Sequence, residues 1–286
     1  MTTWAMCKKP ITLKDHQKVK CGRCIECLIQ RSKEWATRLD IESKHAKSGV
    51  FLTLTYSDDN VTWHVDQETG EMVTSLEKRD LQLFIKRLRK RQLKYKNPDQ
   101  VRYFACGEYG GKTKRAHFHA LVFNLDRKVI NEMDTLWTDG FIKVGDITPK
   151  SIRYVSNYML LKDNNKLKIQ AEPFTTMSKK PVIGHQYFTT RSFEQHEIHE
   201  KDEMLVAGKY KPQLPNHFLD KITTKETKHK IKKARIEKFA EKREELLKEA
   251  ERSNPLDPLG EAEKRKQDQV KIKERKFNKY RKQNKL

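Results

Sequence analysis

Arg115-Ala116-His117-Phe118-His119-Ala120-Leu121-Val122-Phe123 is the stretch from which the fold can be read. Its apolar run, its aromatic residues and the β-branched Val122 favour a β-strand. Side chains alternate along a strand, so His117 and His119 share one face and Phe118 points to the other. Two imidazoles at that spacing suit one divalent metal, with Phe118 anchoring the strand in a core. An ordinary pair of strand histidines would look the same, so the reading depends on the residues around it.

Upstream, Val101-Arg102-Tyr103-Phe104-Ala105-Cys106 reads as a second strand that runs into Gly107-Glu108-Tyr109-Gly110-Gly111. The link from Tyr109 to Arg115 is short enough for a hairpin, which would return the chain beside Glu108. Glu108 is therefore the candidate third ligand. Two imidazoles and a carboxylate suit Mn²⁺, and Mg²⁺ less comfortably. Three protein ligands leave positions open for a substrate phosphate. Lys112, Lys114 and Arg115 border this site and are candidates for DNA phosphate contact. A solvated turn would carry the same residues.

Other elements follow by periodicity. Residues 28–46 read as a helix with Leu28, Trp35, Leu39 and Ile41 on its inner face, and Val50–Tyr56 as a strand. Turn residues fill 57–75. Ser75 reads as the N-cap of a basic helix running to about Leu93, with Leu81, Phe84, Ile85 and Leu88 at helical spacing. A helix near 127–137, a short strand over Phe141–Val144 and a helix opened by Thr148-Pro149 complete the pattern. Strands separated by helices and joined by tight turns imply an α+β fold with a mainly antiparallel sheet.

The last helix carries Tyr154 and Tyr158, whose four-residue spacing puts both hydroxyls on one face, and Lys162 continues that face. A tyrosine hydroxyl can attack a phosphodiester and form a covalent phosphotyrosine. Its ordinary pKa near 10 makes it a poor nucleophile unless the phosphate is polarised or the proton is lost. A metal would polarise the phosphate, and Lys162 would steady charge in the transition state. Tyrosines of this kind also simply pack against sheets.

Sixty-one Lys and Arg against 39 Asp and Glu give a net charge of +22, which attracts polyanions, nucleic acid first among them. The charge is uneven. Residues 221–286 hold 23 basic and 12 acidic residues, whereas residues 1–220 hold 38 and 27. That tail is poor in core residues and reads as loosely attached helices or disorder, adding salt-sensitive affinity for DNA. Three parts result: a Cys-rich segment over 1–27, a main domain over 28–220 and the basic tail over 221–286. The N-terminus has no apolar signal region, and no apolar run approaches the roughly 18–20 residues that would span a bilayer. The expected location is the cytoplasm, where cysteines serve as thiols or metal ligands. Cys21, Cys24 and Cys27 form C-x2-C-x2-C, and Cys7 would complete four thiolates for a structural Zn²⁺. Free thiols and an iron–sulfur cluster are the alternatives. Cys106 reads as a core residue.

His117-Phe118-His119, followed by Tyr154-Val155-Ser156-Asn157-Tyr158, resembles the HUH endonuclease superfamily. Within it, the chain resembles the replication-initiation proteins of microviruses, the small phages with circular single-stranded DNA, and of their gokushovirus branch above all. Cys21-Gly22-Arg23-Cys24-Ile25-Glu26-Cys27 with Arg31–Ala36, Phe51–Tyr56 and Arg102–Gly110 carry the same likeness in the same order, over about residues 20–165. The resemblance implies a five-stranded antiparallel sheet related to the RNA-recognition fold, with helices on one side. It also implies a metal-dependent nickase and ligase. Such an enzyme cuts one strand at the replication origin, keeps the 5′ end on a tyrosine and leaves a 3′ hydroxyl to prime rolling-circle synthesis. Host helicase and polymerase, in the bacterial host cytoplasm, are the implied partners. Tyr154 and Tyr158 match the two-tyrosine pattern, and Tyr158 is favoured as first nucleophile. The chain departs from the pattern at Asn157, where related proteins often carry a basic residue; Lys162 is the candidate in its place. An HUH transposase or plasmid relaxase would share the site but not the flanking segments. A non-catalytic DNA-binding or packaging protein would explain the basic tail but not the His, Glu and Tyr constellation.

Overall fold

Ala116–Phe123 forms the central strand of a five-stranded antiparallel sheet in a computed structural model of the chain. The structure describes residues 7, 9–14, 16, 18–68, 70–96, 98–110, 113–158, 169–205 and 211–253, with isolated positions from 256 to 275. The chain forms two compact units, one of residues 22–222 and one of residues 1–21 with 223–286. In the second unit, two short strands, β1 (Ile11–Thr12) and β2 (Lys18–Val19), pair antiparallel.

The larger unit opens with α1 (Ile25–His45), then β3 (Gly49–Tyr56). Residues 57–75 hold a small hairpin, β4 (Thr62–Val65) with β5 (Met72–Ser75), where the sequence suggested turns alone. Ser75 closes that hairpin, and the basic helix α2 (Lys78–Lys94) starts three residues later behind Glu77. Strands β6 (Arg102–Tyr109) and β7 (Ala116–Phe123) pair over their full length. The region near 127–137 divides into α3 (Arg127–Asn131) and α4 (Met133–Leu136). Strand β8 (Gly140–Asp146) leads into α5 (Pro149–Asn157). Thr148 and Ser151 form a reciprocal capping box at its start, with Pro149 in the first turn as its missing N–H allows. Strand β9 (Phe174–Met177), α6 (Thr190–Phe193) and α7 (Asn216–Ile222) complete the unit.

The strand order is β8-β3-β7-β6-β9. Helices cover both faces of this sheet, not the single face that the resemblance implied, and the two central strands explain why. On one face Ala105, Phe118, Ala120 and Val122 pack with Leu81, Phe84 and Leu88 of α2 and with Val129, Met133 and Leu136. On the other, Phe104, Cys106, Leu121 and Phe123 pack with Leu39 of α1 and with Ile152 and Val155 of α5. A strand apolar at successive positions gains only if both faces leave water, at about 25 cal/mol per Å² of apolar surface.

A buried polar network fastens α1 to the sheet. Arg102 on β6 forms an ion pair with Glu42 of α1 and donates to the carbonyls of Pro181 (2.9 Å) and Val182 (3.0 Å). Glu42 also accepts from the Gly184 backbone N–H at 2.7 Å. In the smaller unit α8 (Lys225–Ser253) carries exposed i,i+4 ion pairs such as Lys230–Glu226 and Lys248–Glu244. Among the described residues no helix is long and apolar enough to cross a membrane.

Candidate active site

The β6–β7 hairpin brings the three sequence candidates together. Its register sets Glu108 opposite His117 and Cys106 opposite His119, so these four side chains project from one face. His117 Nε2 lies 2.8 Å and His119 Nε2 3.1 Å from the same Glu108 oxygen, Oε1. The three ligand atoms lie within 4.8 Å of one another. This donor set, two imidazole nitrogens and one carboxylate on a rigid hairpin, fits a divalent cation with open coordination positions.

Each imidazole is oriented from behind. His117 Nδ1 lies 3.1 Å from the Arg115 carbonyl, which can only accept, so Nδ1 carries hydrogen and Nε2 faces the site. His119 Nδ1 meets the Thr53 hydroxyl at 3.1 Å, and that hydroxyl can donate or accept. Thr53 sits opposite His119 on the neighbouring strand β3. The His119 ring is held between Phe51 (5.5 Å, 13° between planes) and Tyr158 (5.7 Å, 16°). The sequence reading missed Thr53 and Phe51 as supports. The alternation Phe51, Thr53, Thr55 on one face of an otherwise apolar strand was the available signal.

Electrostatics divide the cluster. Burial alone would raise the Glu108 pKa, but hydrogen bonds and charge from both histidines outweigh it and hold the carboxylate below its ordinary range. Burial opposes charging of His117, yet the Glu108 bond and charge win, so its pKa is raised. Burial dominates at His119 and lowers its pKa, only partly offset by Glu108. Near neutral pH and without metal, the cluster thus holds an ionised Glu108, a charged His117 and a neutral His119.

Helix α5 delivers the tyrosines to the same place. The Tyr154 hydroxyl lies 3.2 Å from His119 Nε2, and its ring meets that of Tyr158 edge-on at 4.8 Å. Tyr158 is the C-cap residue of α5. Burial, the Glu108 charge and Tyr154 all push its pKa far up, so its hydroxyl is neutral here. Asn157, the departure from the family pattern, accepts a hydrogen bond from Ser32 Oγ at 2.7 Å and ties α5 to α1.

Other candidates fall elsewhere. Lys162 and Lys112 lie outside the described residues. Lys114 is half-buried in the hairpin turn. The Arg115 guanidinium is engaged by Asp58 (2.6 Å) and the Tyr56 carbonyl (2.8 Å). In the smaller unit the Cys21 N–H donates to Cys7 Sγ at 3.3 Å. In the larger one Cys24 precedes α1 and Cys27 is buried in its first turn. Cys106 is buried on the site face, its thiol pushed up by burial and by Glu108.

Comparisons with known proteins agree with this geometry. Residues 49–163 match the family model described as replication-associated protein ORF2. The chain is 30% identical over 220 residues to the replication-associated protein VP4 of Bdellovibrio phage phiMH2K, and 29% identical over 223 residues to the replication-associated protein ORF2 of Spiroplasma virus 4. It is 26% identical over 226 residues to the replication-associated protein ORF4 of Chlamydia phage 1. Each alignment covers 70% of this chain, and 66%, 66% and 52% of the respective relative, so the chain spans just under two thirds, or about half, of the relatives it matches. No solved structure matches it. Through residues 49–163, with the Glu108, His117 and His119 cluster and both tyrosines inside them, the chain belongs to the ORF2 family of phage replication-associated proteins.

Proposed function

We propose that this protein starts rolling-circle replication by nicking, and later rejoining, one strand of a circular phage DNA. The observation that carries the reading is the convergence of Glu108, His117 and His119 on one point, with the Tyr154 hydroxyl 3.2 Å from His119. A divalent cation such as Mn²⁺ or Mg²⁺ in this ligand set supplies polarisation of the scissile phosphate. The chain's own residues do the rest. Glu108, His117 and His119 supply the donors, while Thr53 and the Arg115 carbonyl keep the imidazoles aimed.

A tyrosine Oη attacks the phosphorus, and the P–O3′ bond breaks. The phenol loses its proton and the 3′ oxygen gains one. The 5′ phosphate remains esterified to the tyrosine, and the bond energy is conserved for joining. Sequence favours Tyr158 as first nucleophile, but the Tyr154 contact to His119 favours Tyr154, and single variants separate the two. The second tyrosine would take the new 5′ end after one round. Lys162 is proposed to steady charge on the phosphate. Four thiolates from Cys7, Cys21, Cys24 and Cys27 are proposed to hold a structural Zn²⁺. The proposed partners are the single-stranded origin and the host helicase and polymerase, in the cytoplasm of the bacterial host.

An end-labelled single-stranded origin oligonucleotide with protein and Mn²⁺ tests the reading. An adduct that survives SDS should form, and EDTA should abolish it. Tyr154→Phe combined with Tyr158→Phe should remove the adduct altogether. Cleavage by the double variant would refute the tyrosine role. Absence of cleavage with every divalent metal on the cognate strand would leave a DNA-binding protein without nuclease activity.

A further inference from the structure

The register of the sheet carries the metal-ligand rows outward to an open surface. Glu108, His117, Thr55 and Phe141 are successive partners across β6, β7, β3 and β8, and therefore share one face. The adjacent row on that face is Cys106, His119, Thr53 and Lys143. Ile142, between Phe141 and Lys143, faces the other way and packs with the α2 core, as the alternation requires. Helices α1 and α5 cover the far end of this face, over Leu121 and Phe123. The near end stays open: Phe141 is 71% exposed, Lys143 is exposed, and both lie on the edge strand.

Phe141 is held in that place. A Cβ at Gly140 would lie 2.2 Å from the Thr55 carbonyl oxygen, so only glycine permits this close approach of β8 to β3. The Thr55 hydroxyl donates to the Phe141 carbonyl at 3.3 Å, and the Trp137 indole donates to the Thr55 carbonyl at 3.0 Å. An aromatic ring on a fixed backbone loses little entropy on taking a partner. An exposed Phe fixed beside a Lys, two strand spacings or about 10 Å from His117, is the arrangement that binds a base and its phosphate.

We infer that Phe141 and Lys143 form a nucleotide-binding platform, on which one base of the single strand stacks and its phosphate is held while a neighbouring phosphate lies at the Glu108–His117–His119 cluster. The occupant is single-stranded DNA, because the platform continues the rows of the ligand set and its one charge is positive, matching a polyanion. This inference rests on the proposed function and adds the part of the substrate that the cluster itself does not touch.

A fluorescein-labelled oligothymidylate about 20 nucleotides long, enough to cover a single-strand site, tests it without calling on nuclease activity when titrated in EDTA and read by anisotropy. Phe141→Ala should weaken binding about five- to a hundredfold, the range for one stacked base, and Phe141→Trp should restore it. Lys143→Ala should reduce the slope of log affinity against log salt by about one. An abasic residue scanned along the strand should at one position weaken the wild type to the level of Phe141→Ala and leave that variant unchanged. Far-ultraviolet circular dichroism and Mn²⁺ affinity should be unaltered in all three variants, since none is a ligand or a core residue. Equal oligonucleotide affinity of wild type and Phe141→Ala overturns the platform, even where the Mn²⁺-dependent adduct still forms. Loss of the adduct in the wild type, with the Phe141 effect intact, overturns the nicking reading and leaves the platform standing.

Discussion

His117 and His119 are two residues apart, yet they do different things with the same carboxylate. Without metal His117 is charged and His119 is neutral, because Glu108 overcomes burial at the first and not at the second. A metal must displace the extra proton on His117. Calorimetry of Mn²⁺ binding near pH 7, repeated in buffers of different ionisation enthalpy, should therefore report release of about one proton. Affinity should rise with pH until His117 is neutral in the free protein; a proton count near zero would mean that His117 is already neutral. The stability of the metal-free protein has the matching signs. The contribution of His117 is complete below its ordinary value near 6.5 and is lost as pH rises through the raised one. The contribution of Glu108 is present above the ordinary carboxylate range and is lost as pH falls through the lowered value. Thr53 acts on the same atoms from behind. Thr53→Val keeps the shape but removes the partner of His119 Nδ1, and should weaken metal binding roughly 10–100-fold, while Thr53→Ser should retain it.

Individual elements differ in how openly the sequence announces them. The β6–β7 hairpin was legible because alternation and length are local properties, and Glu108 could be set opposite His117 by counting through the turn. The five-stranded antiparallel sheet came from the family resemblance, and the structure has it. Strand β9 was not read: Phe174–Met177 has only four residues, and it pairs with β6 about 70 residues away. The short β4–β5 hairpin was hidden by the turn residues around it. The second helical layer was missed because a continuous apolar strand shows that both faces are covered without showing what covers them. The support at His119 comes from Thr53, 66 residues earlier, and such a bond leaves no spacing to detect. Helix α1 offers a test at this scale. Glu42 is fully buried and bonded to Arg102 and to the Gly184 backbone, so Glu42→Ala should cost about 3–5 kcal/mol in urea unfolding, by stranding a buried guanidinium. Pairing it with Arg102→Met should recover only part of that loss, because the Pro181 and Val182 carbonyls would still lack their donor.

Across the whole molecule the excess of positive charge is its broadest property, and half of it lies in residues 221–286. Phosphate neutralisation by so many cations releases counterions, so affinity for a single strand should fall steeply between about 50 and 200 mM salt. Removing residues 254–286, which hold 11 basic and 5 acidic residues, should lower affinity for every DNA sequence alike and flatten the salt dependence. Cleavage-site choice should not change, and a shift in site after that truncation would give the tail a part in reading sequence. The proposed metal ligands come from only twelve consecutive residues, Glu108 to His119, on one hairpin, whereas the tyrosines arrive 35 residues later on a helix. Closing so short a loop is entropically cheap, and contacts of low sequence separation form early. The cation-holding half of the centre is therefore a product of local folding, complete before the attacking half docks. During refolding in a stopped-flow instrument, Mn²⁺ uptake should precede the fluorescence change that reports burial of Tyr154 and Tyr158.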